Sequence, residues 1–301
     1  MTLCVAALCE QGNPQGAKVV CAVDGMLSLL VSADVDAPKI LFLGDWIFMF
    51  AGQLSNADLM MDEIRSVKFT PQEVKNLVRN AYRKRMAQWS ADRYLIQYEM
   101  DMKEFKTDGR TIFGEERFPE LSRAIEQDSV NYQEQVLVVG WAASKGQPVF
   151  FGMNRDGMAS HALDGIAAIG SGQDVAMSTM MMLEQRRTMT LEETIYSVSS
   201  AKFAAERYEG VGRTTTMFVS WKRSDDDPTE RPSGNFIHPP QVDELRKVWE
   251  KYGKPRVPSQ GWGLFSKIAT GLYEGRGRQL TLQHIAKEGK AHKTTSKVKR
   301  S

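Results

Sequence analysis

No apolar run in the chain approaches the ~20 residues that a membrane-spanning helix needs, so an integral helical membrane protein is excluded. Cysteine is scarce, with three residues (Cys4, Cys9 and Cys21) that all lie close to the start. There is no CxxC pair and no Cys/His cluster. Neither a disulfide framework nor a zinc site is therefore expected, and a reducing cytoplasm is the expected setting. The three thiols read as small buried side chains in strands. Histidine is sparse too, and His161, His238, His284 and His292 stand at no metal-ligand spacing, so no metal or cofactor is expected. The stretch from Met1 to Cys9 is apolar but lacks the basic residues of a secretory leader.

Neither charge sign dominates, with 39 Lys+Arg against 37 Asp+Glu. The near-balance hides an asymmetry. Residues 276–301 hold eight basic side chains and one acid, a net of +7 that leaves −5 on the remainder. This tail reads as a flexible basic arm, able to meet nucleic acid, an anionic membrane or an acidic partner by unspecific electrostatics. It has no interleaved aromatics for base stacking, and a solvated tail without a partner is an equally good reading. With 42% hydrophobic and 25% charged residues the 301-residue chain has a globular mix, enough for one large domain or two small ones.

Val5 to Cys9 and Val19 to Val23 read as one β-hairpin, and Lys39 to Leu43 with Trp46 to Phe50 as a second, closed by the short Gly44-Asp45 turn. Nearly every strand position is apolar, so both faces are expected to be covered. Asn56 or Ser55 is the expected cap of a helix to about Arg65. Thr70-Pro71-Gln72-Glu73 is a second start signal, for a helix to about Phe105 that Thr107-Asp108-Gly109 breaks. A further helix is expected over Pro119 to Gln127. Strands follow over Gln135 to Ala143, Val149 to Asn154 and Gly165 to Gly170. A methionine-rich helix (Met177, Met180, Met181, Met182) starts at Asp174, and another opens at Thr190-Leu191-Glu192-Glu193. A last strand spans Thr214 to Lys222. Runs of strands segregated from runs of helices predict an α+β layered fold. Beyond residue 222 a polar, Pro-containing linker leads to one amphipathic helix, Val242 to Tyr252, so the expected organisation is a domain over 2–222 and a C-terminal extension over 223–301.

Several segments occur in a telling order. Thr2 directly follows Met1. Val20-Cys21-Ala22-Val23-Asp24-Gly25 ends the second strand on an acid. Lys39 opens the third strand, and Phe50-Ala51-Gly52 and Asn56-Ala57-Asp58 follow. Val138-Val139-Gly140-Trp141, Pro148-Val149-Phe150-Phe151 and Asp156-Gly157 make a central hairpin, and Ala168-Ile169-Gly170-Ser171-Gly172 leads into a helix. Over residues 2–222 this set resembles the proteasome β-subunit family of N-terminal-nucleophile hydrolases, in the style of the bacterial HslV-type peptidase. The resemblance implies a four-layer αββα sandwich and a threonine peptidase. Thr2, freed by removal of Met1, would be the nucleophile, with Lys39 and Asp24 as its charged partners and Ser171 beside the α-amine. The Gly52 N–H would be the oxyanion donor, and Phe48 and Met49 would flank the substrate pocket. It also implies self-assembly into rings, a polypeptide substrate and an ATP-dependent unfoldase as partner.

That chemistry has physical grounds. A threonine hydroxyl needs a base, and an α-amine with an ordinary pKa near ~7.7–8 can take its proton at working pH. A neighbouring Lys ammonium favours the neutral amine by like-charge repulsion, and an Asp orients the Lys. The chain departs from the family where an Asp and a Ser are usual near the end of the last helix. Here Glu206-Arg207-Tyr208-Glu209 stands, and Glu206 and Glu209 are the candidates for support. Each residue also has a plain structural alternative: a strand threonine, a turn acid, a strand-end lysine, a helix-capping serine. Two other functions fit the same fold, a non-catalytic scaffold subunit and an amidase acting on a small amide.

Overall fold

The computed structural model describes residues 2–12, 16–28, 32–34, 39–67, 70, 72–141, 148–222 and 234–253. Met1, the 223–233 linker and the basic tail lie outside them. In chain order the chain forms β1 (Leu3–Cys9), β2 (Lys18–Asp24), a short ribbon of β3 (Met26–Ser28) and β4 (Ser32–Asp34), then β5 (Ile40–Leu43) and β6 (Trp46–Ala51). Helices α1 (Leu54–Arg65), α2 (Val74–Leu95) and α3 (Met102–Ser129) follow, and after them β7 (Gln135–Trp141), β8 (Pro148–Asn154), β9 (Gly157–Ser160) and β10 (Ile166–Gly170). Helices α4 (Gln173–Met182) and α5 (Leu191–Ala205), β11 (Thr215–Trp221), β12 (Gly234–Ile237) and α6 (Pro239–Val248) complete it, the last running into a wider turn over Trp249–Gly253.

Two antiparallel five-stranded sheets result, ordered β10-β1-β2-β11-β12 and β5-β6-β7-β8-β9. Their apolar residues alternate between faces, as the two-residue period of a strand requires. On β1, Leu3, Val5, Ala7 and Cys9 join one cluster with Ala176 and Met180 of α4, Val198 and Phe203 of α5, and Val242 of α6. Cys4, Ala6 and Leu8 join Ile47 and Met49 of β6 and Leu137 and Val139 of β7 in a second. The opposite face of β6, Trp46, Phe48 and Phe50, packs with Met60, Ile64, Val78 and Tyr82 of α1 and α2. Burying each large apolar side chain contributes about 1.5–3 kcal/mol. The chain is thus a mixed helix-and-sheet fold whose sheets are covered on both faces, as the unbroken apolar strands require. No helix of the described residues is long and apolar enough to cross a membrane.

Three local expectations are corrected. Helix α1 is capped at Gln53, with no side-chain cap, and Asn56 lies in its first turn. Helix α2 ends at Leu95 instead of running on to Phe105. Glu99 turns the chain in the left-handed conformation, and Asp101 then opens α3, accepting from Lys103 N at 2.7 Å and Glu104 N at 2.8 Å while Glu104 returns a bond to Asp101 N. Thr107-Asp108-Gly109 does not break the helix. Gly109 is there for close packing, since a Cβ on it would lie 2.9 Å from the Phe105 ring and 3.0 Å from Phe118. The interruption comes at Gly114, φ 78°. Strands β3, β4, β9 and β12 lie outside the sequence expectations, and the helix expected over Pro119 to Gln127 is the second half of α3. The α6 region joins the first sheet's core through Val242 and Trp249.

Candidate active site

Hairpin register brings the first two residues together. Cys4 pairs with Val23, so Thr2, just before β1, and Asp24, the last residue of β2, fall at the same end of the sheet. Lys39 enters from the other sheet, immediately before β5. Its Nζ donates to Thr2 Oγ1 at 2.6 Å and to Asp24 Oδ1 at 2.6 Å. All three are sealed: Thr2 is 2% exposed, Lys39 2% and Asp24 1%. The second Asp24 oxygen accepts from Gly212 N at 3.0 Å. An ion pair this deeply buried is retained only if both charges are satisfied, and here the carboxylate has a donor on each oxygen. A hydroxyl that accepts from an ammonium gives up its own proton more readily, because the resulting alkoxide is stabilised by the same bond.

The turn after β10 closes over Thr2. Ser171 N donates to the Thr2 carbonyl oxygen at 2.8 Å. Gly170 has φ +94°, and a Cβ there would lie 2.0 Å from Thr2 O and 3.2 Å from Ala51 Cβ. Glycine is required by backbone conformation and by space together. Gly170 N donates to Gln135 Oε1 at 2.6 Å, which ties β7 to the same corner. Through Ala51 the end of β6 reaches this corner. Gly52 follows directly, exposed, with φ +127°, and a Cβ on it would meet Glu134 at 3.0 Å. Behind it Glu134 accepts from Asn56 Nδ2 at 2.5 Å, and Arg85 donates two bonds to Asn56 Oδ1. The Cys4 thiol also lies in this region, donating to Phe50 O, and burial pushes it well above its ordinary pKa.

Thr2, Asp24, Lys39 and Ser171 are therefore gathered at one corner, with Gly52 at its β6 edge. Phe48 and Met49 are corrected. Both are fully buried, on opposite faces of β6 and in different clusters, so neither lines an open pocket. Glu206 and Glu209 separate. Glu209 is exposed beyond α5, whereas Glu206 accepts from Lys202 Nζ at 2.6 Å and pairs with Arg246. Met180 is core and Met177 half-buried against it, while Met181 and Met182 are exposed. Among the described residues no group of His, Cys, Asp and Glu could hold a metal ion.

Reasoning from sequence missed Lys202, Gly212, Gln135 and Arg246. Lys202 did carry a signal, as the one charge in an otherwise small and apolar run from Ser197 to Ala205, the pattern of a helix buried all round.

No family model matches the chain, and no curated protein matches it. Among solved structures the fold is similar to eukaryotic HslV from Trypanosoma brucei, with TM-score 0.44 and 17% identity over 73% of this chain and 100% of that one. It is also similar to the Gly-1 mutant of Anbu from Hyphomicrobium sp. strain MC1, with TM-score 0.49 and 13% identity over 86% of this chain and 100% of that one. Likeness at this level sets neither the family nor the activity.

Proposed function

We propose that the chain is a threonine peptidase of proteasome type, acting through Thr2 once Met1 is removed. One observation carries the reading: a buried lysine ammonium bridges the hydroxyl of the residue after Met1 and a buried carboxylate, at 2.6 Å to each. In this reading the freed α-amine takes the Thr2 Oγ proton as Oγ attacks a peptide carbonyl carbon. The C–N bond breaks, the amine leaves with that proton, and water then cleaves the ester to regenerate Thr2. Lys39 lowers the proton affinity of both the hydroxyl and the amine, and Asp24 holds Lys39 in line. The Gly52 N–H stabilises the oxyanion, a type of contact worth roughly 10²–10³ in turnover, and Ser171 serves the α-amine.

The proposal extends to a four-layer αββα arrangement for residues 2–222, with 223–301 as an extension, and to self-assembly in rings in the cytoplasm. Rings would confine the sites to unfolded polypeptide delivered by an ATP-dependent unfoldase. The test is intact mass and N-terminal sequencing of the untagged protein, followed by hydrolysis of an unfolded polypeptide with Thr2→Ala as control. A chain beginning at Thr2 that cleaves, and a silent control, are expected. A chain that keeps Met1 and does not cleave refutes the proposal. The scaffold reading would then stand, and the 2% exposure of Thr2 favours it.

A further inference from the structure

Lys202 is sealed in the core with its side chain 0% exposed, and the chemistry proposed above does not use it. Burial lowers its pKa, with Glu206 and Asp24 acting in the opposite direction. Stability alone does not account for such a group, because a buried ion pair can often be exchanged for apolar side chains without loss. Its contacts lead to the candidate site. Lys202 Nζ donates to Glu206 Oε1 at 2.6 Å and to Gly212 O at 2.7 Å. Gly212 N is the donor to Asp24 Oδ2. From the other side Arg246, on α6, takes both Glu206 oxygens in a fork. The same guanidinium donates to Arg213 O at 2.8 Å. Two cations thus grip adjacent carbonyls of one turn, and an acid shared between them keeps their geometry in step.

We propose that Lys202, Glu206 and Arg246 are positioning residues that clamp the Gly212–Arg213 turn, so that the Gly212 N–H holds the Asp24 carboxylate where it keeps Lys39 on Thr2 Oγ1. For its effect on turnover the inference rests on the peptidase reading; for the clamp itself it rests on geometry alone. It makes α6, which lies outside the 2–222 region, part of the site's support.

The test uses the full chain and two measurements. The first is a double-mutant cycle on unfolding with Arg246→Gln, Asp24→Asn and the double variant. The clamp requires the combined effect on the unfolding equilibrium to depart from the product of the single effects by about threefold or more. The second is the rate at which a peptide β-lactone acylates Thr2. Arg246→Gln should slow it by about 2- to 30-fold, and Arg246→Lys, which keeps the charge and loses the fork, should restore part of the rate. Multiplicative unfolding effects overturn the inference. Coupled unfolding with an unchanged acylation rate also overturns it, because the clamp would then brace the fold without acting on the site. Coupled unfolding in a wild-type protein that the probe never acylates supports the clamp and overturns the peptidase reading instead.

Discussion

Replacing Gly170 with Ala tests the corner at Thr2 most directly, and Gly12→Ala supplies a matched control. The two glycines have nearly the same φ, +94° and +96°, but a Cβ on Gly12 meets nothing within 4 Å whereas one on Gly170 lies 2.0 Å from Thr2 O. A left-handed conformation costs an L-residue roughly 1–2 kcal/mol, offset by about 0.4–1 kcal/mol of lost freedom in the unfolded chain. Gly12→Ala should therefore cost about 1 kcal/mol. Gly170→Ala carries the same strain and must also push the Thr2 backbone away from β10. That weakens the Ser171 N bond to Thr2 O and the Leu3–Gly170 pairing, each worth about 0.5–1.5 kcal/mol, and adds a backbone shift of about 1–3 kcal/mol. The expected total is about 3–7 kcal/mol. Urea unfolding at equal slope reads the difference, which should lower the midpoint by about 1 M or more relative to the control. A Gly170→Ala protein as stable as Gly12→Ala would refute the close approach of β10 to Thr2, and with it the placement of Ser171.

Lys39→Met strands a carboxylate that is 1% exposed and should cost about 3–5 kcal/mol, much of it recovered by adding Asp24→Leu; a neutral single variant would refute the buried pair. Alkaline pH should destabilise the fold. Burial raises the Cys9 thiol to about 11 and Cys21 to about 12 from the ordinary 9.0. Unfolded thiols therefore ionise while the folded ones stay neutral, and the stability they contribute is full below pH 9 and lost as pH rises toward those values. For Cys9 alone the loss is on the order of 2–3 kcal/mol. Lys202 works in the opposite direction: with its folded pKa below 10.5, the folded state binds fewer protons there and gains stability as pH approaches that value. The thiols outnumber it, so unfolding free energy measured from pH 8 to 10.5 should fall, and a Cys9→Ala/Cys21→Ala protein should lose most of the decline. The same burial predicts that a thiol reagent modifies none of the three cysteines until the chain unfolds.

What the sequence disclosed depended on how far each contact reaches along the chain. The Thr2–Asp24 juxtaposition follows from a hairpin whose strands are unmistakably apolar, because antiparallel pairing forces the start of one strand to meet the end of the next. Lys39 could be brought to them only by stacking a second sheet on the first, which no local pattern specifies, so its place came from resemblance. The capping-box spacing of Asp101 and Glu104 marks the true start of α3, yet in the sequence Gly109 reads as the stronger breaker. Packing against Phe105 and Phe118 overrides that propensity. Phe48 and Met49 could have been separated beforehand, since consecutive strand residues face opposite sides and cannot line one pocket.

The clamp shows where sequence reading ends. Lys202 on α5 and its C-cap Glu206 stand four residues apart, and a single lysine in a run of small residues with an acid at that spacing is a visible sign that the two satisfy each other in a buried place. Arg246 has no such sign. It reads as one more cation on the polar face of an amphipathic helix, and only the packing of α6 on the first sheet's core turns it toward Glu206. A charge on an outer helix can thus bear on a site at the chain's other end through four hydrogen-bonded links, from Arg246 through Glu206, Lys202 and Gly212 to Asp24. If Asp24 needs that bracing to hold Lys39, the support of the site does not end at residue 222.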